Sequence, residues 1–209
     1  GLPKNPLPPY NYKAPFSPID VIEEYTRPAR MMINSKIVTK PALSEIEELD
    51  IIDAGKLEAF NTDGLRSLLV TMDHIPNMKE KTLRYPGHAA LIQSMIDKNL
   101  FDENNFKNTV QKLFNDWKLN DNEPEFTVLD INIYGSEKNI HYHLYDEMDM
   151  LSKSSSMART TGYTATATVN MLLKKIWSKK GVSAPEIVGT TEHCINFLMK
   201  YLSSRKVKI

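Results

Sequence analysis

Apolar positions change period often along this chain, which predicts many short elements rather than a few long ones. Ile19, Val21, Ile22 and Tyr25 fall at helical spacing. Ser17 supplies an N-cap hydroxyl ahead of Pro18 at the first helical position, and Pro28 ends the segment. MMINSKIVTK then reads as a hairpin turning at Asn34-Ser35. The stretch from Pro41 to Asp50 is acidic and reads as a solvated segment. Lys56 to Phe60 predicts a strand, after which Asn61-Thr62-Asp63-Gly64 opens a helix over LRSLLVTM. A second strand over Lys79 to Arg84 leads through Pro86-Gly87 into the amphipathic helix AALIQSMIDKNL. Phe106, Val110, Leu113, Phe114 and Trp117 mark a further helix from about Asn104 to Trp117.

The period then drops to two. EFTVLDINIYG alternates, with Phe126, Val128, Leu129, Ile131 and Ile133 apolar, Gly135-Ser136 marks a turn, and NIHYHLYDEMDM continues as the partner strand. SSSMARTTGYTATATVNMLLKKIW reads as a serine-rich loop feeding a helix. Ser183, Pro185 and Glu186 cap a closing helix whose stripe is Ile187, Val188, Thr191, Cys194, Ile195, Leu198, Tyr201 and Leu202. At the other end, four prolines in residues 1–13 disfavour both helix and central strand and leave an extended arm. The order of elements is not a regular βαβ alternation. It predicts an α+β fold, with a mixed, largely antiparallel sheet covered by helices.

Composition changes this picture little. The 209 residues are 41% apolar and 25% charged, and Lys+Arg and Asp+Glu balance at 26 each. Without a net field or a basic stripe carrying aromatics, nucleic acid is not an expected partner. Cys194 is the single cysteine, so an intrachain disulfide is excluded and a reducing, cytoplasmic location is expected. The longest apolar runs fall far short of the ~20 residues that span a bilayer, and the polar, Pro-rich start is not a signal peptide.

No G-x-G-x-x-G, P-loop, H-E-x-x-H, C-x-x-C or G-x-S-x-G occurs. A dinucleotide needs glycines where the backbone meets its pyrophosphate, so any such cofactor would be held elsewhere. Polar clusters at element ends carry the candidate chemistry. Arg27 and Arg30 end the opening helix and suit a carboxylate bidentately, unless they only cap it. Asn61, Thr62 and Asp63 stand before Gly64 as a helix start that suits a substrate carboxylate, against the plainer reading of an ordinary strand-to-helix turn. Thr82 to His88 packs Arg84, Tyr85 and His88 into one turn: an anion binder beside a group that moves protons near neutral pH. Arg159, Thr160 and Thr161 open a later helix and suit an anion or a cap. His141 and His143 share one strand face, but Asp146, Glu147 and Asp149 lie too close along the same strand to complete a metal site, so none is expected. Cys194 reads as a core residue.

Six stretches together resemble the C-terminal domain of the saccharopine dehydrogenase family, which includes lysine 6-dehydrogenase and carboxynorspermidine dehydrogenase. They are GLPKNPLPPYNYKAPFSP, VIEEYTRPAR, KLEAFNTDGLRSLL, KEKTLRYPGH, MARTTGYTATATVNMLL and GVSAPEIVG, in family order over nearly the whole chain. The resemblance implies a substrate-binding and dimerisation domain of an NAD(P)-dependent oxidoreductase acting on a C–N bond of an amino acid. It implies residues 1–13 as a crossover arm from a nucleotide-binding domain not present in this chain. Residues 14–182 would be the substrate and dimer body, and 183–209 a helix that packs back on the nucleotide-binding domain. NAD or NADP would bind the parent protein and not this chain alone, which is expected to be inactive by itself. A small amino-acid substrate, a homodimer partner and the nucleotide-binding domain are the expected partners, and neither nucleic acid nor membrane is. Arg27, Asn61, Thr62, Asp63, Arg84, Tyr85, His88, Arg159 and Thr160 are the implied substrate-side residues, with no acid/base residue assigned. The alternative is a truncated, non-catalytic relative that dimerises or binds an amino acid.

Overall fold

Ser17-Pro18 and Asn34-Ser35 set the first boundaries where the sequence places them, although the Ser17 hydroxyl makes no capping hydrogen bond. The computed structural model describes residues 1–14, 16–120 and 123–209 and forms two compact units, Leu2–Asn120 and, together with Gly1, Asp121–Ile209. Among the described residues no helix is long and apolar enough to cross a membrane.

The first unit begins with a two-residue strand, β1 (Leu2–Pro3), and the helix α1 (Pro18–Thr26). Val21, Ile22 and Tyr25 are the buried face of α1. β2 (Ala29–Ile33) and β3 (Lys36–Lys40) pair antiparallel about Asn34 and Ser35, both at positive φ (49° and 61°), the two-residue turn whose twist matches paired strands. A three-stranded antiparallel sheet follows, with β5 (Gly55–Asn61) between β4 (Glu47–Ile51) and β6 (Lys81–Arg84). β4 corrects the expectation of a solvated acidic segment. Glu47 to Asp50 are exposed, but their backbone pairs with Lys56 to Ala59 of β5. An edge strand needs backbone partners, not an apolar face.

The helix expected over LRSLLVTM shrinks to one turn, α2 (Leu68–Thr71). Arg66 sits at φ 49°, which no right-handed helix tolerates. Leu65 and Leu69 pack instead with Met31 and Met32 in a small apolar cluster. α3 (His88–Asp97) and α4 (Glu103–Asp116) complete the unit. Trp117, which caps α4, is fully buried with Tyr10 and Tyr12 edge-on to it at ring distances of 5.7 and 5.3 Å. Burial of Ile92 and Leu113, both at 0% exposure, stabilises by about 1.5–3 kcal/mol each.

In the second unit β7 (Glu125–Tyr134) and β8 (Asn139–Glu147) form one long hairpin, with Asp130 opposite His143 and Ile131 opposite Tyr142. α5 (Ser156–Leu173) starts on Ser155, whose hydroxyl accepts from the Ala158 N–H at 3.1 Å. The buried Glu125 carboxylate also accepts from Ser156 at that start, where a helix favours negative charge. The closing stripe is two helices, α6 (Pro185–Gly189) and α7 (Glu192–Ser203). Leu202 and Val207 pack with Leu144 of β8, alongside Tyr163 and Leu198, and Cys194 is buried. The closing stripe therefore has apolar partners within its own unit, while Ile195 and Met199 stay exposed.

Candidate functional site

The turn expected to be densest in chemistry, Thr82 to His88, is built into the core rather than opened to solvent. Arg84 Nε donates to the Tyr25 hydroxyl at 2.8 Å, and that hydroxyl lies 3.0 Å from His88 Nε2. His88 Nδ1 lies 2.8 Å from the Tyr10 carbonyl. A carbonyl only accepts, so Nδ1 carries the proton and Nε2 is the lone-pair nitrogen. The bonds then run one way: Arg84 to Tyr25, Tyr25 to His88, His88 to the backbone. Burial, and then the neighbouring Arg84 charge, lowers the His88 pKa to about 3, so the ring is neutral at physiological pH. His88 is thus an anchor and not the exposed proton carrier its position suggested.

Arg84 is held from other sides as well. Its guanidinium carbon lies 4.5 Å from the Tyr12 ring centre, and its terminal nitrogens reach the Leu83 carbonyl at 2.8 Å and Glu24 at 3.4 Å. The start of α3 does take a carboxylate, as sequence reasoning proposed for the Gly64 turn, but it comes from inside the fold. Glu58 on β5 accepts from the Gly87 N–H at 2.9 Å and from the Ala89 N–H. Gly87 has φ +92°, the left-handed conformation that aims its N–H at Glu58.

Beside this anchor lies a small cleft of about 100 Å³, lined by Glu23, Glu24, Arg27, Thr62, Asp63, Gly64, Arg66, Glu80 and Thr82. Its floor is a second directional chain. The Thr62 hydroxyl donates to Glu80 at 2.7 Å, so the Thr82 hydroxyl, 2.8 Å away, donates to Thr62. Glu80 also lies against Gly64, where a Cβ would come within 2.5 Å of its carboxyl carbon. Burial raises the pKa of both Glu24 and Glu80, partly offset by Arg84 in the first case and by the Thr62 hydroxyl in the second. Asp63 is fixed differently: Arg30 grips it bidentately at 3.0 and 2.9 Å, and that contact leads the lowering of its pKa. Arg27 pairs with Glu23 one turn earlier on α1. The cleft presents Arg27 and Arg66 close to carboxyls that burial has made less acidic.

Of the residues expected from sequence, Arg27, Thr62 and Asp63 line this cleft. Arg84 stands behind it through Glu24, with His88 two hydrogen bonds further in, through Tyr25. Asn61 is fully buried and donates to Ser44 and Glu45, and Tyr85 donates to the Pro3 carbonyl at 2.9 Å. Arg159 and Thr160 belong to the other unit. The Arg159 guanidinium is committed to Asp146 at 2.8 and 3.1 Å and to the Arg205 carbonyl, while Thr160 bonds back to Ser156 within α5. Sequence reasoning missed Glu24, Arg66 and Glu80. All three sit inside the stretches that carry the family resemblance, and the burial of Glu24 and Glu80 was the signal lacking.

Comparison with known proteins bears on this arrangement. The model of the saccharopine dehydrogenase C-terminal domain matches residues 1–207. Among solved structures, the apo form of saccharopine dehydrogenase (L-Glu forming) from Saccharomyces cerevisiae has a similar fold, with a TM-score of 0.70 at 15% identity. The match covers 99% of this chain and 64% of the yeast chain, so the present chain spans under two-thirds of that protein's length.

Proposed function

Since the chain belongs to the saccharopine dehydrogenase C-terminal domain family, we propose that it is the substrate-binding part of an NAD(P)-dependent oxidoreductase acting on a C–N bond of an amino acid. The observation that carries this reading is the cleft on α1, β6 and the β5–α2 turn, where Arg27 and Arg66 stand close to Glu24 and Glu80. An amino acid brings a carboxylate for the guanidinium groups and an ammonium for the carboxylates, and such charge-assisted bonds orient both ends of the ligand. The Arg84–Tyr25–His88 anchor holds Glu24 from behind and keeps the wall rigid. In this reading the hydride acceptor, NAD or NADP, binds a nucleotide-binding domain outside these residues. Here the chain's own groups bind and orient the amine, and Glu24 and Glu80 are the groups able to take a proton from it.

We also propose a homodimer, as family resemblance implies. On one face of the β7–β8 hairpin Leu129, Ile131, Ile133 and Tyr142 are exposed, all apolar or aromatic. A second copy presenting the same face buries them reciprocally. The single cysteine, Cys194, is buried and free, which supports a reducing, cytoplasmic setting.

Calorimetric titration of the purified chain with L-lysine and with saccharopine tests the site. Binding of either, weakened about tenfold or more by Glu24→Gln or Arg27→Ala, is the expected result. Indifference to both ligands sinks the reading. NAD(P)-dependent turnover by these 209 residues alone would overturn the assignment of hydride transfer to another domain.

A further inference from the structure

We propose that Asp130, His141 and His143 form a site for a divalent cation of the zinc class, clipping β7 to β8. His141 and His143 are two apart on β8 and so share a face, as the sequence indicates. The third ligand comes from the other strand. Register places Asp130 directly opposite His143, with His141 on the diagonal. No pattern along either strand alone announces this triplet.

The ligand atoms of these residues all lie within 4.8 Å of one another. Zinc bonds of about 2.0–2.2 Å put neighbouring ligands of a tetrahedron roughly 3.3–3.5 Å apart, so side-chain rotations close the gap without backbone movement. The Asp130 Oδ2 to His143 Nδ1 separation is already 3.1 Å, and Asp130 Oδ1 contacts His141 Nε2. A carboxylate only accepts, so each ring presently turns an N–H toward it. Metal binding needs the other tautomer of each ring, with the lone pair toward the ion and the proton on the nitrogen facing away from it, His141 Nδ1 and the buried His143 Nε2. No redox step is involved.

Partial exposure fits a site that exchanges with solvent. The Asp130 and His143 side chains are largely covered and that of His141 is 43% exposed, leaving room for water at the remaining position. Two imidazoles and one carboxylate favour zinc, cobalt, nickel or copper over magnesium or calcium. The ladder that holds the three residues, nine paired positions from Phe126 to Tyr134, pre-organises them.

The test uses tag-free, chelator-treated protein titrated with Co²⁺, followed by visible absorption, and with Zn²⁺ by calorimetry. One saturable ion per chain is expected, with an intense low-symmetry cobalt spectrum and a rise in melting temperature. His141→Ala, at an exposed position, and Asp130→Asn should each weaken binding about tenfold or more. His74→Ala combined with His193→Ala should leave it unchanged. Absence of saturable binding overturns the proposal, and so does binding that survives His141→Ala and Asp130→Asn or vanishes in the His74/His193 variant.

Discussion

The Tyr25 hydroxyl donates its proton to His88 Nε2 across 3.0 Å of buried space while accepting from Arg84 Nε. Its removal strands a lone pair and a charged donor where water has no entry. Tyr25→Phe is therefore expected to lower unfolding stability by about 2–6 kcal/mol, since each of the two buried unsatisfied partners costs about 1–3 kcal/mol. Denaturant titration of the variant measures this. A cost below that of one such group would mean that water reaches the network.

The neutral state of His88 has a pH signature. Its folded pKa is lowered to about 3 from the ordinary 6.5, so below pH 6.5 the unfolded chain binds a proton the folded one refuses. Stability then falls as the pH is lowered, by at most about 1.4 kcal/mol per pH unit. Glu24 and Glu80 act oppositely, because their raised values let the folded state take protons first. The informative measurement is the difference between wild type and His88→Gln from pH 6.5 to 4.5. Wild type should lose more stability over that interval. Parallel curves would show that His88 titrates normally.

Gly64 carries no left-handed φ, yet a side chain there requires the Glu80 carboxyl to move. A Cβ there would come within 2.5 Å of the Glu80 carboxyl carbon. Gly64→Ala should displace Glu80 from Thr62 and cost about 1–3 kcal/mol as overpacking does. Adding Glu80→Ala should recover part of the loss, because the clash then has no second atom. Failure of the double variant to gain on the single one would place the strain elsewhere.

What the sequence reveals here follows from which forces are local. The Asn34-Ser35 hairpin and the Ser17-Pro18 helix start are local, and both appear where their residues predict them. β7 forms where its residues predict a strand, but its burial does not alternate: Phe126 faces opposite to Ile131 and Ile133, which stay exposed. β4 does not announce itself, because backbone pairing with β5 holds Glu47 to Asp50 while their side chains face water. The same limit applies to chemistry. Arg84 and His88 are visible as reactive types, but only packing against Tyr12, Tyr25 and Trp117 shows them to be anchors. Asp130 joins the two histidines solely through cross-strand register.

Asp146 and Arg159 form the corresponding buried pair of the second unit, with side-chain exposures of 4% and 10%. Asp146→Ala leaves that guanidinium buried with the Arg205 carbonyl and a distant Asp149, at 3.9 Å, as compensation. Removing one member of such a pair costs about 3–5 kcal/mol. Combined Asp146→Leu and Arg159→Met should be much milder than the single change. Equal losses in the two would argue that the geometry of the pair, not the orphaned charge, matters.

Ile131 is the position from which to test the proposed dimer. It lies mid-face on the hairpin between Leu129 and Ile133 and opposite Tyr142, and it is 42% exposed. Substitution there leaves the Leu144, Leu202 and Val207 cluster untouched, so folding should persist. In a two-fold interface Ile131→Lys enters twice and buries two like charges together, which costs several kcal/mol. The dissociation constant should rise at least about a hundredfold, since each 1.4 kcal/mol is a factor of ten. Sedimentation velocity at matched concentrations is the measurement, with circular dichroism to verify the fold. A wild-type dimer that becomes a folded monomer supports the face as the interface. A dimer unmoved by Ile131→Lys assigns the interface to another surface, and a monomeric wild type at high concentration removes the dimer proposal altogether.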